Sequence, residues 1–266
     1  MDKIKDETHD VKIAKEMSRS LGYVRPFMLI VGGWPLDPNS SSLMKSLPRF
    51  IVPMCIVLLF FVAGPGVYHI FFKEKDSKMQ LKLLPPVINS ALQLIEYIFV
   101  MTKAKNIKIA KDEIMNDWFH GTEDDRQLFR NNSKIGSKML TIVAICMYVG
   151  GTGFRILFPI LKGRIVLPNN TTIRILPCPT YLPYINVQAT PTYEIIFTVQ
   201  IVAGFYQHTA FIGGIGTFIM FALHLSSLMK ILGTKMESLN DESNANEDIL
   251  QTNIVNIIEY HMKVKR

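Results

Sequence analysis

The 266-residue chain is 48% hydrophobic and 19% charged, with a formal net charge of +7. Its apolar residues gather in four blocks separated by charged stretches, the pattern of a polytopic membrane protein rather than a soluble enzyme. The sequence has no zinc-finger spacing and no compact Lys/Arg run interleaved with aromatics, so the basic charge does not point to nucleic acid.

In chain order, residues 1–49 are mostly polar and charged and are expected to form a cytoplasmic N-terminal segment without a signal-peptide pattern. The first apolar block, Phe50–Phe72, has 23 residues. It would reach about 35 Å as a helix, against about 30 Å of bilayer core. Pro53, Pro65 and His69 interrupt it, and membrane helices tolerate proline better than soluble ones. The second block, Leu83–Met101, is the most polar, with Pro85, Pro86, Asn89, Gln93 and Glu96. Such a span should face a bundle interior or a cavity rather than lipid. The segment 102–138 is expected to be cytoplasmic, with Asn106–Trp118 forming an amphipathic helical extension.

The third block, Met139–Leu161, carries Gly150, Gly151 and Gly153 at its middle and Arg155 beyond. Small residues there allow close helix approach or leave room for a ligand. The loop 162–191 holds two β-prone runs, Ile165–Leu167 and Ile173–Leu176, around Pro-Asn-Asn-Thr-Thr, which predicts a short hairpin. The fourth block, Ile195–Leu223, would reach about 43 Å and so must tilt or project from the bilayer. A stripe of Leu225, Leu228, Leu232, Met236 and Leu239 continues it as an amphipathic helix. A further stripe begins at Leu250, Ile254, Ile257 and Ile258, and the chain stops at Arg266, which reads as a truncation within 224–266.

The fold class expected is therefore an all-α integral membrane protein. It has four transmembrane helices (50–72, 83–101, 139–161 and 195–223), long cytoplasmic helical extensions and a short outer hairpin-like loop. Lys and Arg number 21 on the side of both termini and the 102–138 segment, and 7 on the other side. The positive-inside rule places both termini in the cytosol and 162–191 outside. Of the sequons at Asn39, Asn131, Asn169 and Asn170, only Asn169 and Asn170 then face outward as glycosylation candidates.

Chemistry-bearing motifs are few. The sequence contains no P-loop, G-x-S-x-G or H-E-x-x-H pattern, its six histidines lack ligand spacing, and no catalytic role, metal or cofactor is expected. Cys55 and Cys146, inside apolar blocks, read as small buried hydrophobes, and three cysteines with Cys178 do not pair off. Gly213-Gly214-Ile215-Gly216 reads as a helix-packing face. Glu96 and Arg155 are the sharpest intramembrane charges, but their depths differ by about 13 Å in a roughly 30 Å core, too far for a direct salt bridge.

Several segments resemble the insect odorant receptor family, of the type expanded in ants, bees and wasps. They are Trp34-Pro35-Leu36, Asn116-Asp117-Trp118, Pro177-Cys178-Pro179, Thr190-Pro191-Thr192-Tyr193-Glu194, Val199-Gln200 and Glu259-Tyr260-His261, in that order against the apolar blocks. The resemblance implies a seven-helix subunit of a ligand-gated cation channel with the N-terminus inside. It also implies assembly as a heterotetramer with a shared co-receptor, in the plasma membrane of sensory neurons. The last helix would line the pore, and helices two, three, four and six would surround an odorant pocket in the outer half of the bilayer. The partners implied are a small volatile hydrophobic odorant, the co-receptor and the lipid bilayer.

A chain ending before the fifth helix is expected not to conduct by itself. The alternative is a four-helix structural or adaptor membrane protein without ligand-gated activity. A pocket for such a ligand needs apolar and aromatic walls with a few polar groups. The candidates in the outer halves of the helices are Asn89, Leu92 and Gln93 on the second span. On the third they are Tyr148, Gly151, Thr152 and Arg155, and on the fourth Phe197, Gln200, Ile201 and Gly204. Ordinary helix packing is the competing explanation for each.

Overall fold

The structure is a computed structural model that describes residues 2–36, 40–166 and 172–241. It is almost wholly helical. The elements are α1 (Asp2–Leu21), α2 (Arg25–Ile30), α3 (Ser42–Tyr68), α4 (Ser77–Thr102), α5 (Ala104–His120), α6 (Glu123–Ile145), α7 (Gly153–Lys162) and α8 (Thr192–Asp241). A π-helical turn, His69–Lys73, ends α3, and a π-helical stretch, Cys146–Thr152, joins α6 to α7. The strands β1 (Arg164–Val166) and β2 (Thr172–Arg174) form the hairpin expected in the outer loop, with Ile165 opposite Ile173. The sequons at Asn169 and Asn170, and the stripe after Leu250, lie outside the described residues.

Four helical stretches are long and apolar enough to cross a membrane: Ser42–Lys73, Ser77–Thr102, Glu123–Lys162 and Thr192–Glu237. Their outward faces carry large apolar side chains, including Phe50, Val57 and Phe60 on α3 and Leu92, Ile95 and Phe99 on α4. In water such faces would drive aggregation, whereas lipid is their matching solvent. Cys146, expected as a buried hydrophobe, belongs to this outward surface. It is exposed, in a π-helical stretch that has no buried residue, while Cys55 is buried.

The helices run beyond the apolar blocks because polar side chains cap them. The Ser41 hydroxyl accepts from the Met44 N–H at the start of α3, and the Asp76 carboxylate from the Lys78 N–H at the start of α4. Thr122 and Asp125 form a reciprocal capping box that starts α6, reinforced by Glu123 and Asp124 in the positively polarised first turn. Where α3 loosens into its π turn, the Gln80 side-chain amide donates to the carbonyls of Ile70 and Glu74.

The chain forms two compact units. The first takes Met1–Tyr23, Ile109–Met139 and the chain from Gly216 onward. Its buried apolar residues include Ile13, Met17 and Leu21 of α1, Trp118 of α5, Phe129 of α6 and Met220 of α8. The Phe129 ring lies between Trp118, at 5.6 Å, and His224, at 4.9 Å. His224 Nε2 is 2.9 Å from the Asp117 carboxylate. Asn132 ties α6 to α8 by donating to the Leu223 carbonyl and the Ser227 hydroxyl. Burial in this unit pushes the Tyr23 hydroxyl up to about 12.

The second unit takes Val24–Lys108 and Leu140–Ile215. Here α3 packs along α4, and the core at one end joins Val62, Ile70, Val87, Cys178 and Ala203. Gly213 and Gly214 sit where a β-carbon would collide with Met28 Sδ, at 2.9 Å, and Glu96 Oε1, at 2.5 Å. That is the close approach expected of the glycine-rich stretch.

Candidate ligand site in the second unit

The loop after β2 does not float over the bundle. Arg174 bonds Glu194 at 2.6 Å, stacks on the Tyr193 ring at 3.9 Å and donates to the Gln188 carbonyl, while Tyr193 donates to the Ile175 carbonyl. These contacts fasten the hairpin to the first turn of α8. Further on, Pro177–Thr180 turns inward. The Gln200 side chain, 1% exposed, accepts from the Cys178 N–H and donates to the Cys178 carbonyl and the Thr180 hydroxyl. The segment is thereby held like an added strand edge, with its backbone groups paired inside an apolar cluster. Tyr181 then stacks on Tyr68 and lies under the Lys73 ammonium.

Beneath this plug lies a polar layer contributed by α4, the third span and α8. The Arg155 guanidinium donates to Gln207 Oε1 at 2.6 Å, and the Gln207 amide donates to the Ser90 carbonyl of α4. Tyr148 shares a hydrogen bond with the Thr209 hydroxyl at 2.8 Å and stacks on Phe205. His208 is 2% exposed, and neither ring nitrogen has a hydrogen-bond partner among the described residues. The Thr152 hydroxyl and the Gln93 carbonyl oxygen are likewise buried and unpaired. Such orphaned groups are costly in a low-dielectric interior, and several together mark a place where function outweighs packing. Burial pushes the Cys178 thiol, at the edge of this layer, up to about 11, while the Arg155 charge pulls the other way.

Two glycines set the spacing of the layer. A β-carbon on Gly151 would stand 2.6 Å from His208 Nε2, and one on Gly204 would stand 2.5 Å from Arg155 Nη1. Both glycines are therefore spaces that polar side chains of the facing helix occupy. Gly151 and Thr152 lie in the π-helical stretch, a distortion that recurs at functional positions.

Of the residues singled out from the sequence, Tyr148, Gly151, Arg155 and Gly204 come together in this layer, and Gln200 holds the plug above it. Gln93 is buried and contacts Asn89 at 3.5 Å, but Asn89 is itself exposed and Leu92 faces outward, 60% exposed. Phe197 stacks on Tyr193 beside the loop, and Ile201 is half-buried. Arg155 is paired with Gln207 and not with Glu96. Sequence reasoning passed over Gln207, His208 and Thr209. The signal was present: three consecutive polar residues interrupt an otherwise apolar membrane helix.

A family model described as the 7tm odorant receptor matches residues 79–266. Among solved structures, the insect olfactory receptor OR5 from Machilis hrabei has a similar fold. Its structure in complex with eugenol superposes with a TM-score of 0.66, and a second structure of that receptor with 0.60, each at 15% identity. Both comparisons cover 96% of this chain and 63% of the other, so the chain spans less than two thirds of that receptor's length. No curated protein matches the sequence.

Proposed function

Because this chain belongs to the 7tm odorant receptor family, we propose that it is an odorant-binding receptor subunit whose ligand sits in the polar layer of the second unit. The family is one of receptors, not enzymes, and the chain is a multi-pass membrane protein. The observation that carries the reading is the cluster of half-buried Tyr148 and Arg155 with buried Gln207 and His208, with orphaned polar atoms, inside helices whose other faces are apolar. An apolar enclosure with a few convergent polar groups is what a small-molecule site requires. Gly151 and Gly204 make room for the His208 and Arg155 side chains, and the Cys178 plug covers one end.

The chain acts at the plasma membrane of sensory neurons, with its N-terminus in the cytosol and the hairpin outside. The basic residues support this orientation by their bias to one side. It works with a co-receptor subunit in a ligand-gated cation channel, and these four spans bind odorant without conducting alone. Eugenol, bound by the similar receptor, is a rational first probe alongside aliphatic odorants.

The test is equilibrium binding to the purified chain, and current recordings from cells expressing it with and without co-receptor. Saturable odorant binding with no current from the chain alone is the expected result. An absence of saturable binding across a broad panel would remove the odorant reading, and a robust current from the 266 residues alone would remove the second part.

A further inference from the structure

We infer that the preferred ligand carries a carboxylate, which the Arg155 guanidinium and the His208 ring bind together beneath the Cys178 plug. The inference rests on the odorant-binding reading and sharpens it to a chemical class: an anionic headgroup on an apolar chain.

Arginine stays charged in proteins, and an uncompensated cation inside a membrane bundle is costly. Among the described residues Arg155 has no carboxylate partner. Its one hydrogen-bond acceptor is the Gln207 carbonyl oxygen, which supplies a dipole but no charge. Most of the five guanidinium donors are therefore uncommitted. His208 stands beside it without a hydrogen-bond partner on either nitrogen, although 98% of its surface is covered (2% exposed). The two side chains lie within electrostatic reach of one another.

Their placement follows from helical spacing. Gly151 and Arg155 are one turn apart on the third span, and Gly204 and His208 one turn apart on α8. Gly151 receives His208 and Gly204 receives Arg155, so both cationic or donor side chains lie in the seam between the two helices. In that seam the uncommitted guanidinium N–H groups and the His208 N–H face no anionic acceptor among the described residues. A carboxylate supplies one, because its two oxygens accept from a guanidinium fork and from an imidazole N–H while cancelling the charge. Hydroxyl, ester and hydrocarbon ligands satisfy fewer donors and leave the charge unbalanced. Tyr148 stacked on Phe205, 5.4 Å between centroids, offers the apolar wall for the remainder of the ligand.

The experiment uses four ligands with one carbon skeleton: nonanoic acid, methyl nonanoate, nonanol and nonane. Dissociation constants come from ligand-induced shifts in thermal unfolding of the whole chain in nanodiscs. Nonanoate is expected to bind roughly tenfold or more tightly than its methyl ester, the margin of charge-assisted over neutral hydrogen bonds. Arg155→Gln should erase that margin, bringing acid and ester to within about twofold of one another, and Arg155→Lys should keep part of it. Equal affinity of acid and ester in the unaltered chain overturns the carboxylate assignment, whether or not the variants fold. Binding of the ester and alcohol as tight as the acid leaves the odorant-site reading standing. No binding by any member of the series removes both.

Discussion

Replacing Gln200 with leucine should release the Cys178 segment. The side chain is 1% exposed and makes three hydrogen bonds, two to the Cys178 backbone and one to Thr180. Leucine fills a similar volume but leaves the Cys178 N–H buried without a partner, while the Cys178 carbonyl keeps the Thr180 hydroxyl as its donor. An orphaned buried group costs about 1–3 kcal/mol, so the closed segment is weakened by about that much. At about 1.4 kcal/mol per tenfold, the open population rises by about fivefold or more. A water-soluble maleimide reads this directly, in a Cys146→Ser background because Cys146 is the exposed thiol. In the unaltered segment Cys178 is 2% exposed and its thiol is pushed up to about 11 by burial, so at neutral pH it is protonated and slow. Gln200→Leu should accelerate labelling in proportion to opening and move the pH–rate profile down toward an ordinary thiol near about 8.5. Labelling as slow in Gln200→Leu as in the parent would refute the claim that Gln200 holds the plug.

Other consequences are equally specific. Gly204→Trp fills the space that Arg155 occupies, so it should weaken responses to larger odorants before smaller ones at near-normal surface expression, in a receptor assayed for current. A uniform loss with falling expression would assign Gly204 to packing alone. Gly136→Ala places a methyl group 2.6 Å from the Tyr23 hydroxyl and 2.9 Å from Leu223, and should cost the first unit about 1–3 kcal/mol. An unshifted thermal midpoint for the solubilised protein would contradict it. An epitope inserted between Val166 and Thr172 should be reached by antibody on intact cells, whereas terminal epitopes should need permeabilisation. The reverse pattern would invert the proposed topology.

The helical membrane fold was readable because it rests on composition and period. Four apolar blocks and the stripe after Leu223 survive any detail of packing, and the hairpin was signalled by β-prone runs around a Pro-Asn-Asn turn. The amphipathic α1 was less visible. Ile13, Met17 and Leu21 recur every four residues, but Lys and Glu between them lower the mean hydropathy of the segment. The site was only half legible. Tyr148, Gly151, Arg155, Gln200 and Gly204 could be proposed from polarity and position, whereas their partners depend on which face of α8 turns inward. Gln207-His208-Thr209 sits in the middle of an apolar run, where all three neighbours look alike in sequence, and only the packing against Gly151, Ser90 and Tyr148 separates them. Leu92 illustrates the converse, since it directly precedes buried Gln93 and the rotation of about 100° between neighbours carries it to the outward face.

Photoaffinity mapping tests the central claim most directly. The whole chain in nanodiscs is irradiated with a diazirine-bearing aliphatic acid, and the adducts are located by peptide mass spectrometry with unlabelled acid as competitor. Competable adducts confined to 148–155 and 200–209 are the predicted result. Adducts that fall on the outward apolar faces around Leu92 and Phe99, or that the competitor fails to reduce, would contradict it.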